Sequence, residues 1–240
     1  MVSRRDPRTL RGGNTRIIFL GPPGAGKGTY STRIASVLGI PHISTGDIFR
    51  EAIKQDSALG KQVIGYVQQG QLVPDVITID VLKSRIGESD CQQGFILDGY
   101  PRTIPQAEAL DAVAKIDVVL NLRIHEAILI AKLAARRVCE DCGEIYNIID
   151  IHETLDDVEY NMPGMRPQTP GQCDVCGGTL IRRKDDQVEV IETRLKQYHQ
   201  QSEPLIRYYH GQGLVEDIYV HLGIDRTIAH ILDKLKPHLP

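Results

Sequence analysis

A glycine-rich segment near the start of the chain has the residue types that bind phosphate. Residues 21–29 read GPPGAGKGT and stand between an apolar run at residues 17–20 and a helical pattern. Glycines let successive N–H groups point at a phosphate, the helix N-terminus adds its positive dipole end, and Lys27 adds a full charge. A strand, a glycine loop and a helix in this order predict a P-loop, which binds a nucleotide. Gly28 stands where most P-loops have Ser or Thr and the hydroxyl comes one residue later, at Thr29, which weakens the case for metal ligation by the loop.

Two cysteine pairs have the spacing of a zinc site. Cys139 pairs with Cys142 and Cys173 with Cys176, and a glycine follows each pair. Two such knuckles supply four thiolates for tetrahedral Zn²⁺ and leave no open position, so the metal is expected to hold shape. A disulfide or a redox dithiol is the alternative, which a reducing compartment and the presence of two pairs disfavour. Cys91 falls outside the pattern, and we interpret it as a partly buried thiol.

Three polar segments stand at the ends of predicted elements. Residues 43–50 place Thr45 at a helix start and Arg50 about one turn further on. Residues 98–106, DGYPRTIPQ, follow an apolar run, so they belong at the carboxyl edge of the sheet, where a doubly wound fold has its ligand crevice. Residues 70–75, GQLVPD, join two helical patterns. A P-loop alone leaves hydrolase, transporter motor and kinase open, and these segments indicate a second site beside it.

The bulk composition excludes some classes of partner. The chain has 240 residues, of which 25% are charged and 41% hydrophobic, and its formal net charge is −3. That length suffices for one α/β core with inserted subdomains. The chain has no surplus of positive charge that would indicate a nucleic-acid or anionic-membrane partner. No apolar run approaches the roughly 20 residues of a membrane helix. Residues 1–14 have four arginines and no apolar h-region, so we interpret them as a disordered basic leader and predict a cytoplasmic location.

Short apolar runs alternate with helical patterns through most of the chain. This alternation predicts an α/β protein whose parallel five-stranded sheet is covered by helices on both faces. The predicted strands are residues 17–20, 41–44, 94–97, 117–123 and 214–220. The predicted helices are residues 27–38, 45–54, 59–69, 75–86, 104–113, 126–137, 187–209 and 225–235. Between Cys139 and Cys176 helical periodicity stops, which predicts an inserted subdomain.

From about residue 15 to its C-terminus, the chain resembles the adenylate kinase family. Residues 21–29, 44–50, 70–75 and 98–106 match that family's motifs nearly letter for letter. The cysteine-bracketed region resembles the long lid of the bacterial type, in the variant that carries zinc. The resemblance implies one P-loop NTPase-type domain at 15–240. Its expected parts are a core at 15–43, 74–134 and 187–240, NMP-binding helices inserted at 44–73, and a zinc-ribbon-like lid at 135–186.

The resemblance also implies an activity, the reversible transfer of the ATP γ-phosphoryl group to AMP with Mg²⁺ accompanying ATP. Arginine suits this chemistry because its planar fork binds phosphate and stays charged. The implied catalytic residues are Lys27, Arg50, Arg102, Arg136, Arg183 and Arg194, with Asp98 ordering water around Mg²⁺. The implied ATP site comprises Gly24, Ala25, Gly26, Lys27, Gly28, Thr29, Arg136, Ile145 and Tyr146. The implied AMP site comprises Thr45, Gly46, Arg50, Gln71, Leu72, Val73, Gly99, Tyr100, Pro101, Arg102, Gln106, Arg183 and Arg194, with Gln106 on the adenine.

Three features depart from the family pattern. Residues 148–157 lengthen the lid, Lys132 stands where the family often has an arginine facing ATP, and the basic leader has no counterpart. Another nucleoside monophosphate kinase, or GTP as the donor, stays open. So do a zinc-ribbon nucleic-acid-binding ATPase, against which the acidic balance and 5% aromatic residues argue, and a non-catalytic P-loop scaffold. We predict a monomer with ATP, AMP and ADP as partners and no nucleic-acid or membrane partner.

Overall fold

Ten strands and nine α-helices occur among residues 14–239, the part of the chain that the computed structural model describes. The predicted basic leader lies outside the described residues except for Asn14. The strands are β1 (Thr15–Leu20), β2 (His42–Ser44), β3 (Gly94–Asp98), β4 (Val118–Arg123), β5 (Arg136–Cys139), β6 (Ile145–Asn147), β7 (Ile151–Leu155), β8 (Val158–Met162), β9 (Leu180–Ile181) and β10 (Val215–Tyr219). The helices are α1 (Lys27–Leu38), α2 (Thr45–Lys54), α3 (Ala58–Gln68), α4 (Asp75–Ile86), α5 (Ile104–Asp111), α6 (Glu126–Ala135), α7 (Val188–Gln197), α8 (Pro204–His210) and α9 (Ile224–Leu235).

The central sheet has the strand order β10-β4-β1-β3-β2, and every neighbouring pair is parallel. Parallel neighbours require crossover connections, which helices supply here. The chain moves outward from β1 to β2 and, after β3, crosses to β4 on the other side of β1. A crevice opens outside the carboxyl ends of the strands at such a switch point, and the glycine loop directly follows β1. The predicted α/β fold with a parallel five-stranded sheet is confirmed.

Both faces of the sheet are covered by helices. Along β1, Ile17 and Phe19 belong to one buried apolar cluster, whereas Ile18 and Leu20 belong to another. The first cluster contains residues of α1, α6, α7 and α9, and the second contains residues of α4, α5 and α8. Because side chains alternate along a strand, an uninterrupted apolar strand fits a sheet that is buried on both faces.

Side-chain caps fix the starts of two helices at the carboxyl edge of the sheet. The hydroxyl of Ser44 accepts a hydrogen bond from the N–H of Asp47 at 3.2 Å, where β2 passes directly into α2. The hydroxyl of Thr103 accepts from the N–H of Gln106 at 3.3 Å, at the start of α5. Each cap satisfies a backbone donor that the helix leaves free, so the helix start is set by the sequence.

The segment between α6 and α7 forms two small antiparallel structures. Strand β5 pairs with β6 and β9, and β7 pairs with β8 in a hairpin. The hairpin contains most of the extra residues at 148–157, and its residues Ile151, Tyr160 and Met162 belong to the first core cluster. The Tyr160 hydroxyl also accepts from the N–H of His125 at 3.2 Å. The hairpin is therefore supported by the main core.

Two predicted helices differ from the structure. The helix predicted at 126–137 ends at Ala135, because the following residues pair with β6 and β9. The helix predicted at 187–209 is divided by a π-helical turn at Tyr198–Ser202, and α8 begins at Pro204, which has no N–H to donate to a preceding turn. The other predicted boundaries lie within two residues of the observed ones.

The predicted division into core, NMP-binding insert and lid stays a prediction.

A membrane span would need a long, continuously apolar helix, and none of the helices in residues 14–239 meets that requirement.

Candidate active site

A cleft opens beside the carboxyl ends of β1, β2 and β3. Its walls come from the glycine loop, from α2, from the segment before α4, from the residues after β3, and from the lid. Twenty of the predicted site residues line this cleft: Gly24, Gly26, Lys27, Gly28, Thr29, Thr45, Gly46, Arg50, Gln71, Leu72, Val73, Asp98, Gly99, Pro101, Arg102, Gln106, Arg136, Ile145, Arg183 and Arg194.

Three residues predicted at the nucleotide sites have their side chains elsewhere. Ala25 and Tyr100 are buried in the two core clusters. The hydroxyl of Tyr146 lies 3.5 Å from Cys173 Sγ and accepts from the N–H of Asp174 at 2.7 Å. The motif match could not tell which side of a strand or loop faces the cleft. The side chain of Tyr146 thus packs in the lid. The prediction that these three residues contact a nucleotide therefore applies to their backbone atoms, and it stays a prediction.

The glycine loop approaches the neighbouring strand closely. Gly21 has φ of 137°, and a Cβ at this position would lie 2.8 Å from the carbonyl oxygen of Leu122. A side chain there would strain the backbone and meet β4, so the close approach requires glycine. Lys27 Nζ donates to the carbonyl oxygens of Gly21 at 2.7 Å and Pro22 at 3.0 Å, which holds the ammonium over the loop.

The surroundings of Lys27 disfavour its charged form. Burial lowers the pKa of Lys27 to about 7. Asp98 opposes this shift, while Arg102, Arg194 and Arg136 add to it. Because the nearby cations outnumber the nearby carboxylate, an anionic ligand in the cleft would stabilise the ammonium.

Asp98, at the end of β3, faces the glycine loop. A Cβ on Gly28 would lie 3.2 Å from Asp98 Oδ2, and His42 Nε2 lies 3.8 Å from the same oxygen. A serine at position 28 would crowd this carboxylate, which gives a packing reason for the glycine. Mg²⁺ takes oxygen ligands and keeps several waters, so a carboxylate beside a phosphate loop fits the ion.

Three arginines gather around two carboxylates, and we call Arg136, Arg183 and Arg194 the arginine cluster. Arg136 donates to both oxygens of Asp186, at 2.8 and 2.5 Å, and Arg194 donates to the same carboxylate at 3.1 Å. Arg183 and Arg194 pair with Asp185 at 3.1 and 3.2 Å. Asp186 is fully buried. The chain therefore supplies internal counter-charges for arginines that would otherwise repel one another.

The pKa shifts in this cluster follow from burial and from the nearby charges. Burial acts to raise the pKa of the Asp185 carboxyl, but the surrounding arginines outweigh it and hold that pKa well below its usual range. Burial lowers the pKa of Arg194 to about 10, against the attraction of Asp185. Both groups are charged at neutral pH. Lys132 lines the same cleft, and burial lowers its pKa to about 8.

The start of α2 is joined to the turn after β3 by hydrogen bonds to one carbonyl group. Thr45 Oγ1 and Arg102 Nε both donate to the carbonyl oxygen of Gly99, each at 2.8 Å. The backbone N–H of Arg102 donates to Gln106 Oε1 at 2.8 Å. Arg50 pairs with the carboxylate of Asp47, one turn earlier on α2. This side of the cleft thus presents an ordered set of hydrogen-bonding groups.

The four predicted zinc ligands meet at one end of the lid, and we call them the cysteine cluster. Their Sγ atoms all lie within 4.8 Å of one another, with 3.4 Å between Cys139 and Cys176 and 3.6 Å between Cys142 and Cys173. Tetrahedral zinc with Zn–S of ~2.3 Å needs sulfur separations of about 3.8 Å. The glycine after each pair has φ of 76°, which turns the backbone back on the knuckle. The arrangement fits a structural Zn²⁺.

The sequence prediction missed the carboxylates that hold the arginine cluster. Asp185 and Asp186 stand two and three positions after the predicted phosphate-binding residue Arg183, in the segment RRKDDQ. Arginines that gather in one place need counter-charge, and this need could have indicated the two carboxylates.

The sequence prediction also missed two residues on the π-helical turn, Tyr198 and Ser202, which line the cleft. Ser202 Oγ donates to the carbonyl oxygen of Arg102 at 3.0 Å. Such turns are frequent at functional sites.

A glycine loop at a sheet switch point, in a cleft that Lys27 and several arginines line, defines a P-loop protein whose site fits phosphoryl transfer. The family model described as adenylate kinase matches residues 19–214. The adenylate kinase of Caldicellulosiruptor bescii is 44% identical over 225 residues, which cover 92% of this chain and 98% of that protein. Those of Thermosipho africanus and Thermotoga maritima are each 41% identical, covering 92% and 90% of this chain and 99% and 94% of their own. The chain belongs to the adenylate kinase family.

This assignment confirms the resemblance that the four sequence motifs indicated, together with the prediction that the chain is an enzyme. The cysteine cluster supports the predicted structural zinc. The roles of individual cleft residues stay predictions.

Proposed function

We propose that the chain catalyses the reversible transfer of the γ-phosphoryl group of ATP to AMP, giving two ADP. As a member of the adenylate kinase family it is a nucleoside monophosphate kinase. The position of the arginine cluster carries the proposal. Arg136 and Arg194 lower the pKa of Lys27, and Arg183 lowers that of Arg50, so the cluster is within electrostatic reach of both sides of the cleft. Phosphoryl transfer requires positive charge between the donor side and the acceptor side of the cleft.

On the donor side, we assign the ATP phosphates to residues 24–29. Lys27 lies over the loop, where a polyphosphate would restore the charge that burial disfavours. Arg136 and Ile145 line the same cleft from the lid, and Lys132 lines it from α6. Donor contacts from the lid make the site complete only when the lid lies over the loop.

On the acceptor side, we assign AMP to the pocket formed by α2, the segment before α4 and the turn after β3. Thr45, Gly46 and Arg50 line it from α2, and the other two segments line it with residues 71–73, Gly99, Pro101 and Arg102. Gln106 is 1% exposed and lines the same pocket, so its amide is the group assigned to the adenine.

The chemistry needs positioning and charge more than it needs proton transfer. The moving phosphoryl group spreads negative charge over its oxygens while donor and acceptor oxygens stay nearly in line. The arginine cluster and Arg102 can bind those oxygens in two-point contacts and stay charged. The attacking oxygen belongs to an ionised phosphate, so no general base is needed. When bound with ATP, Mg²⁺ supplies further neutralisation of phosphate charge, and Asp98 would hold its water.

Contacts across the cleft support exclusion of water from the transfer. Lys54 Nζ at the end of α2 donates to the carbonyl oxygen of Glu140 in the lid at 2.9 Å. Arg33 on α1 pairs with Glu144 of the lid at 3.8 Å. These contacts hold the lid against both the acceptor helix and the core. A closed cleft prevents water from taking the phosphoryl group in place of AMP.

The cysteine cluster is assigned a structural role. Two of its members, Cys139 and Cys173, pack with Tyr146 and Leu180 in an apolar group that is too small to form a core. A tetrahedral metal with four protein ligands would hold β5, β6 and β9 together without reacting. Thiolate ligation also fits a reducing compartment, and this supports the proposed cytoplasmic location. The monomeric state stays a prediction from the sequence.

A coupled assay over all donor and acceptor pairs tests the proposal. ATP with AMP is expected to give the highest kcat/KM among ATP and GTP as donors and AMP, GMP, CMP and UMP as acceptors. ADP alone should be converted to ATP and AMP, because the reaction is reversible. Faster turnover with GTP would make the chain a GTP:AMP phosphotransferase, and no turnover with AMP would contradict the proposal.

A further inference from the structure

The side-chain amide of Gln106 lies between two partners of fixed hydrogen-bonding polarity. Its Oε1 accepts from the backbone N–H of Arg102 at 2.8 Å, and its Nε2 donates to Asp75 Oδ1 at 2.6 Å. A backbone N–H can only donate, and an ionised carboxylate can only accept. Only one of the two orientations of the amide therefore satisfies both partners. The chain itself decides which end of the amide is oxygen.

Asp75 is in turn held in place by its own neighbours. It is the first residue of α4, where the helix dipole favours a carboxylate, and Thr103 Oγ1 donates to its Oδ2 at 3.0 Å. Thr103 also caps α5, the helix that carries Gln106. Asp75 lies behind Gln106 and does not line the cleft, so it reaches a bound ligand through its hydrogen bond with the Gln106 amide.

The fixed amide has one hydrogen-bonding position left at each end. An amide nitrogen has two hydrogens and an amide oxygen has two lone pairs, and the partners above use one of each. The remaining N–H and lone pair match the edge of adenine, whose N1 accepts and whose 6-amino group donates. A 6-oxopurine has the opposite pattern, with an accepting O6 and a donating N1–H. If the amide turned over, it would match the 6-oxopurine instead.

We infer that Asp75 determines the choice of adenine over 6-oxopurines in the acceptor pocket, by fixing the orientation of the Gln106 amide. The inference rests on the proposed function, because it takes the acceptor to be a purine monophosphate held at Gln106. Turning the amide would set Oε1 against the carboxylate and the NH₂ group against the N–H of Arg102. Two hydrogen bonds would become two repulsive contacts, so the orientation is strongly biased. Asp75 is a positioning residue and not a catalytic one.

The variant Asp75→Asn tests this directly, because it keeps the shape of the side chain and removes its fixed polarity. An asparagine can donate as well as accept, so a turned Gln106 amide keeps its partner at position 75 and loses only the hydrogen bond from the N–H of Arg102. The matched control is Asp80→Asn, which makes the same change at an exposed position of the same helix. The measurement is kcat/KM for AMP and for inosine monophosphate, with ATP as donor, on the full chain.

We expect the AMP to inosine monophosphate ratio of kcat/KM to fall at least about tenfold in Asp75→Asn, with the KM for ATP unchanged, and to stay constant in the control. Asp75→Glu keeps an acceptor-only group and should keep the preference for AMP, even if its longer side chain raises both KM values. Equal losses for both substrates in Asp75→Asn, leaving the ratio unchanged, would overturn the inference and make Asp75 a helix cap alone. A wild-type chain that does not use AMP would instead contradict the proposed function.

If Asp75→Asn does not fold, the Asp75→Glu variant decides. Retained selectivity supports the inference, and a loss of selectivity despite the preserved acceptor overturns it.

Discussion

The arginine cluster and the cysteine cluster both concentrate groups of one kind, but the chain balances them differently. Asp185 and Asp186 lie inside the arginine cluster and pair with all of its members. The residues between the paired cysteines are acidic or apolar, with Glu140, Asp141 and Asp174 among them. The first cluster thus has its counter-charge built in, whereas the second needs a cation from solution.

This difference matches the work that we assign to each cluster. A site that binds and releases phosphates in every turnover must stay folded at each stage, and internal carboxylates allow this. A site that only holds three short strands together can depend on an ion that stays bound. The two clusters therefore predict opposite outcomes when a single member is removed.

Removing a cation from the cleft should have the largest effect, and that effect should be on turnover. We expect Lys27→Ala and Arg102→Ala each to lower kcat by at least about a hundredfold, because each removes a positive group from the path of the phosphoryl transfer. Thermal unfolding should change little, since neither side chain is part of the core clusters. Lys61→Ala, at an exposed lysine that pairs with Asp56, is the control and should keep full turnover. Near-normal kcat in either test variant would remove that residue from the site.

Removing the internal counter-charge should reduce stability as well as turnover. We expect Asp186→Ala to lower the free energy of unfolding by about 3 kcal/mol, because Arg136 and Arg194 would be left buried beside each other without their shared carboxylate. Urea unfolding of the variant and of Asp80→Ala, at an exposed aspartate, gives the comparison. A loss no larger than that of the control would mean that the arginines do not depend on this carboxylate.

The sequence predicted those elements whose structure is determined by residues within the same short segment. The apolar continuity of β1 indicated a sheet buried on both faces, and the glycine loop with Lys27 indicated one wall of the cleft. Capping residues such as Ser44 and Thr103 set helix starts within the chain segment itself. For these elements a short stretch of sequence contains the physical reason for the structure.

The parts that the sequence did not predict depend on partners far away in the chain. Arg136 leaves the helical pattern because β5 pairs with β6 and β9, and the side chain of Tyr146 contacts Cys173, 27 positions later in the chain. Asp186 acts by pairing with Arg136, which lies fifty positions earlier in the chain. Distances of this kind are set by tertiary packing, so local patterns and family motifs do not contain them.

Removing one zinc ligand should affect the lid more than the chemistry. Metal analysis should find about one equivalent of zinc in the wild-type chain and less in Cys142→Ser, whose melting temperature should fall by several degrees. The KM values for both nucleotides should change less than the stability does. Hydrogen exchange should become faster in β5, β6 and β9 but not in β7 and β8, because the hairpin packs on the main core. Cys91→Ser, outside the cluster, should keep its zinc, and a zinc-free wild type with full stability would contradict the assignment.

The protonation of Lys27 offers the smallest effect and the most direct test of the charge balance in the cleft. With its pKa lowered to about 7, Lys27 in the folded chain binds fewer protons than the unfolded chain between about pH 7 and its ordinary value of 10.5, so its contribution to stability rises with pH through that window. A bound polyphosphate restores the charge, and binding at pH 8 should therefore take up most of one proton. Calorimetric titration with a non-hydrolysable ATP analogue, in two buffers of different ionisation enthalpy, measures this uptake. Lys27→Arg keeps a permanent charge and should take up none of that proton. Equal uptake by both proteins would show that the titrating group is not Lys27, and that the positive charge in the cleft is compensated before the nucleotide binds.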